Sequence, residues 1–266
     1  MKKLFALLLA LCMVFALAAC GGSKEPAPAP ATEEPTPATE APVEEPAGEP
    51  EQPAGEPEEP EAPEVSVMSH EEYVAAELDS EVVIETYVQA HQSWWQDQIT
   101  VYGQSPDGAY FMYNMACSQE DADKLVPGTK IRVTGYKSEW SGEVEIVDAT
   151  FEILEGDTFV AEPVDVTELL GTDELVAHQN ELVSFKGLTV EAIEYKNGEP
   201  GDDIYVTLNY NGVSFDFCVE AYLTGPETEV YSAVGALNAS DVVDLEGFLY
   251  WYEGPNTHII AVTPAA

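Results

Sequence analysis

The sequence predicts a mainly β protein that carries two tandem copies of one five-strand unit. In each copy a short helix separates the third strand from the fourth. Three observations predict this. Short runs of alternating apolar residues are bounded by turn-forming pairs, the pattern of half-buried strands. The order strand-strand-strand-helix-strand-strand occurs twice between residues 80 and 264. The two fourth strands also align without gaps: Ile131, Val133, Gly135 and Tyr136 match Val243, Leu245, Gly247 and Phe248, and Gly142 then matches Gly254.

The first copy opens on Ser69-His70-Glu71-Glu72, whose capping-box spacing predicts a helix reaching about Leu78. Val82, Ile84, Thr86 and Val88 alternate with polar residues as a first strand, and Ile99 and Val101 begin a second. Ser105-Pro106-Asp107-Gly108 is a hairpin turn in which Pro presets φ and Gly accepts positive φ. Tyr110 to Met115 form the third strand. Ser118 to Asp121 start a helix that Pro127-Gly128 stops. Ile131 and Val133 lie in the fourth strand; after Ser141-Gly142, Val144 and Ile146 begin the fifth, continued by Phe151 and Ile153. In the second copy the strands are Leu182 to Val190, Ile204 to Tyr210, Val213 to Phe217, Val243 to Gly247 and Ile259 to Val262. Asn211-Gly212 is a strong two-residue hairpin signal. Gly225-Pro226 opens a helix to about Leu237, with Pro in a tolerated first-turn position.

This order, with a small residue in strand four, resembles the OB-fold, a five-stranded Greek-key barrel. The resemblance implies two OB-like barrels, over residues 65–155 and 156–266. The segment Val164 to Leu170 followed by Glu181 to Val190 looks like the entry to OB-like domains of exported bacterial proteins. One ten-strand sandwich is the alternative architecture.

Ahead of the barrels lie two segments of different chemistry. Lys2 and Lys3 precede an apolar stretch from Leu4 to Ala19. It is shorter than the roughly 20 residues of a membrane span and fits a signal peptide, residues 1–19. It ends in Leu17-Ala18-Ala19-Cys20, which resembles the lipobox of bacterial lipoproteins. The resemblance implies cleavage before Cys20, a diacylglyceryl group on its sulfur, and attachment to the extracytoplasmic face of the cell membrane through this lipid anchor. An ordinary secretory signal with an incidental cysteine is the other reading. Residues 21–64 hold 12 prolines and 13 glutamates, no aromatic residue and a single cation, Lys24. Such a chain cannot bury enough apolar surface to offset its ordering entropy, so residues 20–64 are expected to be a disordered, extended tether.

The remainder carries 37 of the chain's 50 acidic and six of its nine basic side chains. No basic cluster is present, and nucleic-acid binding draws on Lys and Arg to release counterions. Charge therefore argues for no nucleic acid among the partners. Of four cysteines, Cys12 leaves with the leader and Cys20 is the lipid site. Cys117 and Cys218 end apolar runs, where free cysteine behaves as a small hydrophobe, although an exported context permits a bond between them.

OB barrels commonly bind ligands on strands two and three and with the loops joining strands one to two and four to five. The tryptophans fall in those loops: Trp94 and Trp95, Trp140, and Trp251 between Tyr250 and Tyr252. Aromatic faces among carboxylates and amides can stack on sugar rings or grip a peptide. The same rings can instead fill barrel mouths or a seam between the copies, because large aromatics dominate cores as well as interfaces. Paired oxygens at Glu155-Gly156-Asp157 and Gly201-Asp202-Asp203 leave calcium as the one cofactor to consider, without EF-hand spacing. His70, His91, His178 and His258 are scattered, and no hydrolase or phosphate-loop motif occurs. No catalytic or metal-ligating set is therefore expected. The chain is expected to be a non-catalytic lipoprotein that binds a glycan or a peptide. The alternatives are an assembly partner of another envelope protein and a hydrolase with an unrecognised site such as Cys117 with His91.

Overall fold

The computed structural model describes residues 66–265. The predicted signal peptide, Cys20 and the tether lie outside the described residues. Among the described residues no helix is long and apolar enough to cross a membrane.

The first copy forms β1 (Glu81–His91), β2 (Gln98–Ser105), β3 (Gly108–Ala116), β4 (Lys130–Trp140) and β5 (Glu143–Ile153), preceded by helix α1 (His70–Ala75) and with helix α2 (Gln119–Ala122) between β3 and β4. The strands close into a barrel in the order β1-β2-β3-β5-β4. The second copy contains β6 (Val164–Asp165), β7 (Leu182–Tyr195), β8 (Ile204–Tyr210), β9 (Val213–Val219), helix α3 (Glu229–Gly235), β10 (Val242–Phe248) and β11 (His258–Pro264). Its order is β7-β8-β9-β11-β10, closed by β10 against β7, with β6 added in parallel to β7. Both are OB-type barrels with the helix between strands three and four. The ten-strand sandwich is excluded by these two closures.

The barrels close for the same local reason. β4 and β10 each carry a register shift beside a glycine, Gly135 and Gly247. A Cβ on Gly135 would sit 2.8 Å from the Val147 carbonyl oxygen, and one on Gly247 would sit 2.3 Å from that of His258. These two positions let strand five cross strand four at van der Waals contact with backbone.

Three local expectations are corrected. Helix α1 stops at Ala75 rather than Leu78, because the buried Lys137 ammonium donates to the carbonyls of Tyr73, Val74 and Ala76 at 3.0, 2.8 and 2.9 Å and ends it. Helix α3 begins after Thr228, whose hydroxyl accepts from the Tyr231 N–H, so Gly225-Pro226 form the preceding turn. Gly108 does not serve a positive φ: its missing side chain leaves room for the His70 ring, which a Cβ would meet at 2.2 Å. Asn211 and Gly212 do take the positive φ values, 52° and 85°, of the expected hairpin turn.

Both barrels fall within one compact unit. Their seam is apolar and aromatic. Tyr102 of β2 and Phe111 of β3 lie on the outside of the first barrel and pack with Leu182 and Phe248 of the second. Gln104 accepts the Leu182 N–H at 2.8 Å, and Trp251 closes over Gly142, where a Cβ would meet its ring at 2.7 Å. The connector also belongs to this packing: Phe159 packs against Tyr87 with the rings tilted and their centroids 5.6 Å apart, and Ala161 donates its N–H to Gln89.

Candidate functional site

The seam leaves a cleft of about 490 Å³ between the barrels. The first barrel contributes its strand one-to-two loop and the outer faces of β2 and β3: Gln92, Trp95, Thr100, Phe111, Tyr113 and Asn114 line it. The second contributes Glu220 and Tyr222 from the turn after β9, with Tyr250 and His258.

Two irregularities aim side chains into the cleft. The strand one-to-two loop is a tight hairpin, with Trp95 and Gln98 exchanging both backbone bonds and Gln96 and Asp97 at φ of 48° and 60°. Two successive residues with positive φ give the type I′ geometry usually written with Asn-Gly. Trp95 leaves the base of this hairpin 68 % exposed. In β3 the pairing with β2 slips between Ile99 and Val101, and Asn114 takes φ 47° opposite Thr100, whose hydroxyl receives the Asn114 N–H at 3.1 Å. Such a bulge re-aims neighbouring side chains, here Tyr113 and Asn114.

The floor is rigid. Tyr102 stacks on Phe248 at 4.5 Å, and Tyr250 stacks on His258 at 4.4 Å and meets Phe111 edge-on at 5.2 Å. The Tyr102 hydroxyl accepts from Gln92 Nε2 at 3.2 Å and lies 2.6 Å from His258 Nδ1. Burial holds His258 down to about 3, so the ring is neutral and shares a single hydrogen bond with the tyrosine hydroxyl through Nδ1. Burial, reinforced by the charge of Asp203, pushes Glu220 up to about 7. None of the lining residues is a lysine or an arginine.

The six predicted aromatics separate into different roles. Trp95 and Tyr250 line the cleft. Tyr252 is exposed beside Tyr250, where both border a groove over β8 and β9 with Tyr205, Thr207 and Asp216. Trp94 packs against the first core and donates Nε1–H to the Cys117 carbonyl at 2.8 Å. Trp251 packs against the second core and donates its N–H to Glu143. Trp140 is exposed at the end of β4, away from the lining of either cavity. Sequence reasoning missed Phe111, Tyr113, Glu220, Tyr222 and His258. They lie on a strand face and in a strand-to-helix turn, and nothing in their spacing marks a shared cleft.

The other candidates are accounted for by their partners. Cys117 and Cys218 are free, buried thiols, one in each barrel. Cys117 donates to the Ser118 carbonyl, and His91 Nδ1 lies 2.8 Å from the Gln92 carbonyl. Asp202 and Asp203 pair with Lys196, at 3.6 and 2.8 Å, and Asp157 accepts from the Tyr87 hydroxyl. Among the described residues no group of three or more His, Cys, Asp or Glu side chains is placed to hold a metal ion.

No family model matches the chain, and no curated protein does. Solved structures do resemble it. A murine DNA-binding protein bound to double-stranded DNA is 13 % identical, with a TM-score of 0.35 over 69 % of this chain and 96 % of that one. The Ifi202 HINa domain in complex with 20-base-pair DNA is 11 % identical, with a TM-score of 0.33 over 70 % and 100 %. A replication protein A heterotrimer bound to single-stranded DNA is 12 % identical, with a TM-score of 0.29 over 70 % and 49 %. These likenesses concern the fold, which the strand order establishes by itself. They correct one expectation: the exclusion of nucleic acid drawn from net charge and the lack of a basic cluster does not stand, because the solved structures that resemble the chain include ones bound to DNA. Net charge is a sum over the whole surface and says nothing of a local stacking platform, and bases stack on aromatic side chains largely irrespective of sequence.

Proposed function

We propose that this protein is a non-catalytic binding module that takes a neutral glycan in the cleft between its two barrels. We further propose that it is displayed as a lipoprotein on the extracytoplasmic face of the cell membrane, anchored through Cys20 by way of the tether. The observation that carries the binding reading is the composition of the cleft. Its rim and floor are aromatic, and its remaining lining is mostly amide and hydroxyl: Gln92, Ser93, Gln98, Thr100 and Asn114. Pyranose rings offer apolar faces to aromatic rings and hydroxyls to amides, and pockets of this size suit small ligands. The lipobox carries the anchoring reading.

The binding reading is tested by intrinsic tryptophan fluorescence of the full chain, titrated with neutral oligosaccharides, peptides and oligonucleotides. A saturable change with a sugar that falls about tenfold in affinity, roughly 1.4 kcal/mol, in Trp95→Ala supports it. Silence with sugars, or saturation with a peptide or an oligonucleotide instead, overturns it. The anchoring reading is tested by mass spectrometry of the amino-terminal peptide. An acylated Cys20 supports it, and an unmodified one refutes it.

A further inference from the structure

The wall that the second barrel contributes to the cleft is the turn from Glu220 to Leu223, whose backbone is held by two carboxylates and by the Glu220 carbonyl, which accepts the Leu223 and Thr224 N–H at 3.0 and 2.9 Å. Asp203 accepts the Ala221 N–H at 3.0 Å. Glu220 Oε2 accepts both the Tyr222 and the Leu223 N–H at 3.0 Å. The turn is in turn bound to the first barrel: the Tyr222 carbonyl accepts the Ser93 N–H at 2.7 Å and the Ser93 hydroxyl at 3.2 Å. Ser93 lies two residues before Trp95. One chain of hydrogen bonds therefore runs from the Glu220 carboxylate through Tyr222 to the loop that presents Trp95.

We propose that Glu220 is a proton-sensitive positioning residue for this cleft: its ionised carboxylate holds the Tyr222 turn against the first barrel, and its protonation loosens that wall. Hydrogen bonds to an ionised acceptor are roughly twice as strong as those to a neutral one. The neutral acid thus holds the two amides more weakly; Leu223 keeps its bond to the Glu220 carbonyl, whereas the Tyr222 N–H, on a residue 60 % exposed, depends on the carboxylate. The consequence for ligand affinity rests on the glycan reading; the coupling of the turn to Ser93 does not.

The groups around Glu220 leave it as the responsive one near neutrality. Asp203 faces it from the entry to β8, tied to Lys196 of the β7–β8 connection at 2.8 Å, with Asp202 at 3.6 Å from the same ammonium. Tyr102 faces it from β2, Cys218 from β9 and His258 from β11. Burial raises Tyr102 and Cys218 and lowers His258, so all three are neutral near pH 7. Glu220 itself is pushed up to about 7, first by burial and then by Asp203.

The test is amide NMR of the full chain between pH 5 and 9. The Tyr222, Leu223 and Ser93 amides are expected to titrate together with one midpoint near 7, and Glu220→Gln is expected to abolish that step in all three. Flat amides in the wild type, a step that survives in Glu220→Gln, or a Ser93 amide that does not follow the other two overturns the proposal. Should Glu220→Gln not fold, Glu220→Asp is expected to displace the midpoint, and an unchanged midpoint refutes the assignment. Binding of chitotetraose is then compared at pH 6 and 8, with a several-fold weakening expected at pH 6 in the wild type only. Chitotetraose that binds at neither pH counts against this sugar as the ligand and leaves the amide titration to decide the role of Glu220. Chitotetraose that binds equally at both refutes the proposed effect on the cleft.

Discussion

Replacing Tyr102 by phenylalanine removes one oxygen atom from the centre of the seam and leaves the ring in place. The ring is 1 % exposed and stacked on Phe248, so the packing of the two barrels is retained. Two hydrogen bonds are lost. Gln92 is part-exposed, and its amide can turn to water. His258 is 6 % exposed and held neutral, so its Nδ1 is left buried without a hydrogen-bond partner. An orphaned buried polar group costs about 1–3 kcal/mol, and this is the expected loss for Tyr102→Phe. Truncating the partner ring in Phe248→Ala removes packing as well and is expected to cost about 3–5 kcal/mol. Urea unfolding of the full chain, followed by far-ultraviolet circular dichroism and by tryptophan fluorescence, measures both. The two probes are expected to coincide, because the seam joins the cores. A change in Tyr102→Phe within about 0.5 kcal/mol, the scatter of ordinary surface substitutions, would refute the assignment of that hydroxyl to His258.

Other consequences are as direct. Gly247→Ala drives a methyl to 2.3 Å from the His258 carbonyl oxygen and is expected to destabilise by about 3 kcal/mol or more, measured by the same unfolding curves; an unchanged midpoint would contradict the strand crossing described above. Burial pushes the Cys117 thiol up to about 11 and the Cys218 thiol higher still, so both are expected to resist a thiol reagent in native protein and to react in denaturant. Burial also raises the carboxyls of Glu143, Glu145 and Glu220 above the unfolded value of 4.5. Above that value the native state binds more protons than the unfolded state. Stability conferred by these groups is thus complete below pH 4.5 and declines as pH rises toward each native value, by up to about 1.4 kcal/mol per pH unit for each group. For Glu220 the decline ends near pH 7, and partial exposure reduces it. Unfolding midpoints that rise from pH 5 to 7 would contradict this.

The barrels could be read from the chain because their determinants are local: two-residue periodicity, the Asn211-Gly212 turn, and a glycine where strand five crosses strand four. The cleft could not, and β2 shows why. From Ile99 to Ser105 every residue of β2 is buried, although a barrel strand alone would leave alternate residues in water. Ile99 and Val101 face the first core, whereas Tyr102 and Gln104 are covered by the second barrel. Part of the strand two-to-three face, where barrels of this type take ligands, is therefore spent on holding the pair together. What remains of it, Thr100 with Tyr113 and Asn114, becomes concave because Glu220, Tyr222 and Tyr250 rise opposite. Neither copy contains the site, so no motif within one copy marks it, and predicted loop tryptophans that look equivalent in sequence take up unlike roles. Trp251 presses on Gly142 and helps build the seam, while Trp95 stands free at the cleft that the seam creates. The seam and the cleft are thus linked: a substitution that lets the barrels part also removes the far wall of the cleft, and ligand affinity is expected to fall with seam stability even where every residue of the first barrel's wall is intact.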